Sequence, residues 1–296
     1  MLKFSVLSSG SKANCTYVGG SFGNILIDCG LSLKETERRL RMVEVEPTEI
    51  QAIFLTHEHR DHVAGVAGFA RKYGTPIFAT EGTIVGAKNV WADKASYIKA
   101  KKALERYSEL NSEAEFPTEI GFEIRYFNVG DEVLFGGLLI EPFSVVHDAN
   151  DPVGFRITAD GTVLALATDL GVITAKAGKY LSNVDALVLE SNHDYDLLAE
   201  APYPWELKQR IRSDYGHLSN QDAGEFISKV SKLGRLKVLV GSHVSEKSNV
   251  QELVLNTLTA AWQSGGMNVY LPEICVADVK GPTKMFVLED VLRKVA

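Results

Sequence analysis

Three cysteines in 296 residues, Cys15, Cys29 and Cys275, form neither a C-x-x-C pair nor a zinc-finger spacing. So sparse and odd a set argues against a disulfide framework and suits buried thiols in a reducing compartment. The nine prolines make no Pro-rich linker, and the chain shows no repeat or low-complexity tract. No apolar stretch reaches the roughly 18 residues that a bilayer span requires. The opening MLKFSVLSSGSKAN breaks its apolar run too early for a secretory signal. A cytoplasmic protein without a membrane partner is expected. An excess of positive charge is missing too. With 31 Lys and Arg against 38 Asp and Glu, the net charge of −7 offers no global attraction to nucleic acid. It leaves room for a local basic surface, and a carboxylate cluster that metal would neutralise contributes to it.

What remains is an ordinary soluble composition, 45% apolar and 23% charged, which argues against disorder. The length permits one large or two modest domains. With no linker in sight, one domain over residues 1–296 is expected. Residues 2–8, 15–18 and 24–28 read as a β-meander. LSLKETERRLRMV (31–43) reads as an amphipathic helix with Ser32 as N-cap and Glu35 closing a capping box. Strand AIFLT and a helix from about Asp61 to Lys72 follow. Residues 81–115 look helical and polar, an insertion-like excursion. From 122 to 168 the chain is β-rich, with turns at Gly136–Gly137 and ADGT. After it come helices beyond Pro204, at 219–232 and at 247–264, interleaved with strands VDALVLE and LKVLVG. The expected fold is α/β (α+β), a four-layer αββα sandwich of two mixed sheets flanked by helices.

Histidine is scarce, seven in all, yet three fall in FLTHEHRDHVAGV (54–66). Five apolar runs end on a group that binds or supports metal: NILID at Asp28, IFLTH at His57, FSVVH at His147, LALATD at Asp169 and VLVGSH at His243. A polar residue just past a buried strand emerges at the rim of the sheet, where functional groups collect. His57 and His59, two apart, point the same way in an extended exit. Asp61 and His62 open the next helix and can face the same centre. Imidazole suits zinc, iron or manganese, and carboxylate shifts the balance to harder ions. A solvated polar turn would account for HEHRDH alone but not for the later endings. The ligands exceed what one tetrahedral ion takes, and two divalent ions account for the surplus.

These residues resemble the H-x-H-x-D-H signature and later His, Asp and His ligands of the metallo-β-lactamase superfamily, over nearly the whole chain. LSSGSKAN, ILIDCGLS, HDANDPVGF, LESNHD, YPWELKQRIRSDYGHLSNQDAGEF and SHVSEKSN are similar to the YycJ/WalJ group of its hydrolases, associated with 5′-to-3′ exonuclease activity on DNA. The resemblance implies that His57, His59 and His147 hold one ion, that Asp61, His62 and His243 hold the other, and that Asp169 bridges them. It places Asp28 behind the ligands as an orienting group. Where the group more often has alanine before the last ligand and leucine after it, this chain reads VGSHVSE.

The metal motif does not choose the substrate, since the same pair of ions serves β-lactams, thioesters, lactones and phosphodiesters. Lys208 and Arg212, four apart, share a helix face leading to His217, and local cations beside such a centre suit a phosphate backbone. GHLSNQDAG resembles a segment of the ribonuclease Z group, which implies that His217 protonates the leaving oxygen or stabilises the phosphorane. Ser219 as a helix cap is the plainer reading of the same stretch. Asp61 is a further proton carrier. Ser11 and Asn14, in a Gly/Ser turn, and His193 are lesser substrate contacts. A nuclease on DNA rather than RNA leads. A thioester or lactone hydrolase of the glyoxalase II type and a catalytically silent binding module are the alternatives. Monomer and homodimer stay open.

Overall fold

The computed structural model describes residues 1–91, 121–266 and 270–289. Their strands form two seven-stranded sheets. The first runs β14 (Phe286–Leu288), β1 (Leu2–Ser8), β2 (Cys15–Gly20), β3 (Gly23–Ile27), β4 (Ala52–Phe54), β5 (Ile77–Ala79) and β6 (Ile124–Tyr126). The second runs β13 (Glu273–Val276), β12 (Val238–Ser242), β11 (Ala186–Glu190), β10 (Thr162–Ala167), β9 (Val153–Ala159), β8 (Leu138–Ser144) and β7 (Val133–Phe135).

Each sheet changes character at one strand. Pairing is antiparallel from β14 to β3 and parallel from β3 to β6. It is antiparallel from β7 to β10 and parallel from β10 to β13. Strands running in one direction finish at one edge, so β3 and β4 deliver Asp28 and His57 to one rim. By the same logic β10, β11 and β12 deliver Asp169, Glu190 and His243. Strand β8 lies antiparallel to β9, which lies antiparallel to β10, so β8 also points to that rim and His147 follows it. Ligand sites form at the carboxyl ends of strands where the ladder changes order, and both sheets supply such a point.

Apolar side chains on both faces of the strands explain their near-continuous hydrophobic runs. Between the sheets lie Phe4, Ile25, Phe54, Phe155, Leu164 and Val240. Phe54 stacks on Phe78 at 4.5 Å and meets Phe155 of the opposite sheet edge-on at 6.0 Å. Burying one such ring is worth about 1.5–3 kcal/mol. The outer face of the first sheet carries α1 (Leu33–Met42), α3 (Val66–Tyr73) and α4 (Glu81–Trp91) through Leu40, Phe69 and Ile84. The outer face of the second carries α5 (Ala175–Leu181), α8 (Asn220–Ser231) and α9 (Gln251–Ser264) through Leu181, Ile227 and Leu258. The architecture is the expected α/β sandwich. No helix of the described residues is long and apolar enough to cross a membrane.

Local details depart from the sequence reading. The helix expected from Asp61 to Lys72 is two, α2 (Arg60–Val63) and α3, parted at Gly65. A β-carbon on Gly65 would overlap the Leu31 carbonyl, so this kink is where the chain packs against its neighbour. The capping box of α1 is half made. Ser32 accepts from the Glu35 amide at 3.4 Å, while the Glu35 carboxylate turns to Arg38 and Arg39. The helix expected at 247–264 starts only at Gln251. Of the 81–115 excursion, α4 is helical as expected, and residues 92–115 lie outside the described residues.

Candidate metal centre

Asp28, Asp169 and His243 each follow their strand in the left-handed region, at φ 59°, 56° and 53°. For a residue with a β-carbon this costs on the order of 1–3 kcal/mol. The rim of the sandwich thus holds three strained residues, each aimed away from its strand by a sharp turn. Packing below the rim sustains them. Gly30 lets the turn after Asp28 lie against the α2 turn, because a β-carbon there would overlap the Asp61 carbonyl oxygen.

The histidines are oriented from behind. His147 Nδ1 lies 3.0 Å from the Gly216 carbonyl, and His62 Nδ1 lies 2.7 Å from Asp28 Oδ2. His243 Nδ1 lies 2.9 Å from Glu190 Oε1. Carbonyls and carboxylates only accept, so each Nδ1 carries a proton, and a ring that holds no second proton keeps its lone pair on Nε2. His57 joins the set through Thr56. The threonine hydroxyl donates to Asp28 Oδ2 at 2.8 Å and lies 3.0 Å from His57 Nδ1. Fixing Nδ1 with an acceptor and presenting Nε2 is how proteins prepare imidazole for metal.

The presented atoms converge. His57, His59 and His147 offer nitrogens within 4.8 Å of one another, and so do the nitrogens and carboxylate oxygens of Asp61, His62 and His243. His57 and His62 share Asp169 at the same separation. Asp169 Oδ2 stands 3.0 Å from His62 Nε2, and Oδ1 stands 3.3 Å from His243 Nε2. The buried Nε2 atoms of His57, His147 and His243 and Oδ2 of Asp169 have no hydrogen-bond partner among the described residues. Lone pairs of buried imidazoles facing a carboxylate repel unless a cation lies between them, so the donor set fits metal ions.

The electrostatics agree. Burial opposes charging His62 and His243. Asp28, Asp169 and Asp61 override it at His62, and Asp169, Asp61 and Glu190 override it at His243, so both rise well above the usual imidazole range. Burial instead dominates at His57 and His147, which fall below that range. Asp61 and Asp169 resist burial through the imidazoles around them and stay ionised far below the usual carboxylate range. The centre attracts positive charge.

All seven expected ligands meet here, with Asp28 behind them. Asp28 accepts from the Thr56 amide, the Thr56 hydroxyl and His62. His217 joins too, within 4.8 Å of Asp169, Glu190 and His243 through its ligating atoms. Its Nδ1 lies 2.9 Å from Glu190 Oε1. Glu190 was visible in the sequence only as a polar end to strand ALVLE. In the structure it is fully buried, holds both His217 and His243 on one oxygen, and accepts from the Leu170 amide on the other at 2.8 Å. Ser9 was missed as well; its hydroxyl accepts from the His243 amide at 2.7 Å.

The other expected substrate contacts fare differently. Asn14 is turned inward. Its Oδ1 accepts from the Gly10 amide at 2.9 Å, which fixes Nδ2 toward Asp61 Oδ2 at 3.0 Å. It serves Asp61, one of the expected ligands, rather than facing outward. Ser11 is exposed in the turn. His193 is buried, with neither ring nitrogen hydrogen-bonded among the described residues, and burial lowers its pKa to about 4. On α7 (Trp205–Arg212), Lys208 donates to the Ala199 carbonyl and Arg212 lies 5.3 Å above the Tyr195 ring. The residue of that helix that reaches the ligand loop is Arg210, which pairs with Asp148, next to His147.

Comparison with known proteins agrees with this geometry. A family model described as "Beta-lactamase superfamily domain" matches residues 23–243. The chain is 35% identical over 285 residues to the exodeoxyribonuclease YycJ of Bacillus anthracis, covering 96% of this chain and 98% of that one. It is 34% identical to the exodeoxyribonuclease WalJ of Streptococcus pneumoniae, covering 86% of each. Among solved structures, the metallo-β-lactamase fold protein YhfI of Bacillus subtilis superposes with a TM-score of 0.65 at 16% identity, over 95% of this chain and 98% of that one.

Proposed function

The chain belongs to the β-lactamase superfamily, and from that membership we propose that it hydrolyses phosphodiester bonds in nucleic acid, DNA in preference to RNA, with two divalent ions, zinc or manganese. The observation that carries the reading is the set of buried, back-oriented imidazoles whose Nε2 atoms converge on Asp169. His57, His59 and His147 would hold one ion, Asp61, His62 and His243 the other, and Asp169 both. When bound, such ions supply Lewis acidity and make water acidic enough to attack phosphorus near neutral pH.

The chain's own groups supply the rest. Ester oxygens of sugars leave poorly as alkoxides, so a proton donor on the leaving side matters. His217 stands beside Asp169 and His243, and Glu190 holds its Nδ1, so Nε2 is the atom available to the substrate. Protonated, His217 donates at Nε2 while the Glu190 carboxylate stabilises the cation. Asp61, half-buried, would take a proton from attacking water. Names of the relatives, both exodeoxyribonucleases, support DNA and an exonucleolytic mode.

The test is hydrolysis of bis-p-nitrophenyl phosphate and of end-labelled oligonucleotides by the purified protein, beside thioester and lactone panels. Activity on the phosphodiesters that disappears in chelator and returns with manganese or zinc is expected. Turnover confined to thioesters or lactones, or activity indifferent to chelator, overturns the reading.

A further inference from the structure

The described arginines are held by carboxylates, carbonyls or aromatic rings, with one exception. Arg60, exposed at the start of α2, has no such partner among the described residues. Carboxylates within its reach are turned elsewhere. Glu58 Oε1 accepts from the Asn150 amide at 2.9 Å, and its stem lies so close to α4 that a β-carbon on Gly86 would overlap it. Asp61 Oδ2 accepts from Asn14, and Asp148 pairs with Arg210. Arg60 is left as a free cation inside the densest stretch of metal ligands in the chain.

Its place is specific. Of the seven expected ligands five are buried, and the two partly exposed ones, His59 and Asp61, flank Arg60 in the chain. The centre therefore meets solvent beside this arginine. The rings of His59 and His147 lie 5.1 Å apart, those of His147 and His217 5.2 Å, and those of His217 and His243 5.1 Å. His243 Nε2 lies 3.8 Å from Asp61 Oδ2, and Arg60 joins Asp61 back to His59. Round this circuit Arg60 is equally far from His217 in either direction. The free cation and the proposed proton donor stand across the centre from one another.

Resting on the phosphodiesterase reading, we propose that Arg60 anchors the retained strand of a nucleic-acid substrate by taking the backbone phosphate next to the scissile one, on the side away from His217. A strand whose leaving oxygen lies at His217 continues across the centre toward Arg60. The scissile phosphate faces the ligand cluster, so the following phosphate is the anion that a cation on the rim meets. A guanidinium beside ligands for divalent cations repels those cations, and an anion seated over both offsets that cost. Guanidinium holds phosphate by two parallel hydrogen bonds, which sets the direction of the strand as well as attracting it. A thioester or lactone offers no such second anion.

The metal-loaded protein and its Arg60→Ala and Arg60→Lys variants are titrated with a labelled, nuclease-resistant phosphorothioate DNA duplex over a range of salt. Arg60→Ala should bind about ten-fold more weakly. Its slope of log affinity against log salt should be shallower by about one, the mark of one lost phosphate contact. Arg60→Lys should keep the slope and lose part of the affinity, since the charge stays and the fork goes. On oligonucleotides Arg60→Ala should lose kcat/KM mainly through KM. That loss should exceed the loss on bis-p-nitrophenyl phosphate, which has no second phosphate. Metal content by mass spectrometry should be no lower than the parent's, because a like charge has been removed. Failure of the parent to bind, parental affinity and slope in Arg60→Ala, equal losses on the two substrates, or lost metal overturns the anchor. Turnover of bis-p-nitrophenyl phosphate by the unaltered protein separates the two ideas. Turnover beside an Arg60→Ala variant that binds like the parent sinks the anchor and leaves the phosphodiesterase. Weaker, less salt-dependent binding by that variant of a protein that cleaves no phosphodiester keeps the phosphate contact and overturns the phosphodiesterase.

Discussion

Oε1 of Glu190 lies 2.9 Å from Nδ1 of His217 and also 2.9 Å from Nδ1 of His243. One buried oxygen therefore joins the proposed proton donor to a proposed metal ligand. The Leu170 amide occupies the other oxygen, so the carboxylate cannot turn. In Glu190→Gln the amide must face one donor group with its own NH2, either at Leu170 or at the two rings. Turnover of an oligonucleotide should fall 10- to 100-fold, with weaker metal retention, as for other partners that orient ligands. Measured kcat beside metal content by mass spectrometry checks this. Full activity in the variant would remove Glu190 from the site.

His217→Ala should lower oligonucleotide turnover by about 10²- to 10⁴-fold with both ions retained. The loss should be much smaller on bis-p-nitrophenyl phosphate, whose phenolate leaves without a proton. Equal losses on the two substrates would mean that His217 binds or supports structure instead of protonating the leaving group.

Asn14 and Asp28 act on neighbouring ligands from behind. Asn14→Ala removes the donor to Asp61 Oδ2, and Asp28→Asn removes the charge from the acceptor that fixes His62. Each should weaken the ion on the Asp61, His62 and His243 side by roughly 10- to 100-fold. The ion on His57, His59 and His147 should be disturbed less. Competition against a chelating indicator distinguishes the two affinities, and retention of both ions at parental strength would contradict the assignment.

Orphaned Nε2 and Oδ2 atoms at the rim also forecast stability linked to metal. An ion that binds only the folded state, present at about a hundred times its dissociation constant, adds about 2.7 kcal/mol. Melting in chelator, then with manganese or zinc restored, should show a clear rise in Tm. No shift would mean that the cluster does not hold the metal in the folded protein.

Much of this site was readable because strand endings obey a simple rule. Asp28, His57, His147, Asp169 and His243 each interrupt an apolar run at the point where a buried strand must leave the sheet. Glu190 obeys the same rule, yet a strand-final glutamate carries no sign of its partners. Its importance depends on β10, β11 and β12 lying side by side in parallel, which brings His217 and His243 to it across 27 and 53 residues. Asn14 sits in a stretch whose Gly and Ser content says only that the chain turns, so its lock on Asp61 is a tertiary fact. Spacing put Lys208 and Arg212 on one face correctly, but not which face meets the ligand loop. Arg210 does, because Asp148 draws it there. The broken helix at Gly65 follows from close approach to Leu31, which no local pattern announces.

A last prediction lies outside the centre. Tyr17 is buried and donates to Asn24 Oδ1 at 2.7 Å. Burial first, and then the charge of Glu49, raises its pKa from 10.0 to about 12. In the unfolded chain the phenol ionises near 10, so a raised folded pKa stabilises the protein fully below pH 10. That contribution is lost progressively as pH climbs toward 12. Tyr17→Phe lacks the hydroxyl bond, worth about 1 kcal/mol, but has nothing to ionise. The parent should therefore be the more stable protein at pH 8. Each unit above 10 costs the parent about 1.4 kcal/mol relative to the variant, so the two stabilities should cross near pH 11. Denaturant melts of both proteins from pH 8 to 11.5 would show the crossing, and parallel curves would mean that Tyr17 ionises normally in the folded state.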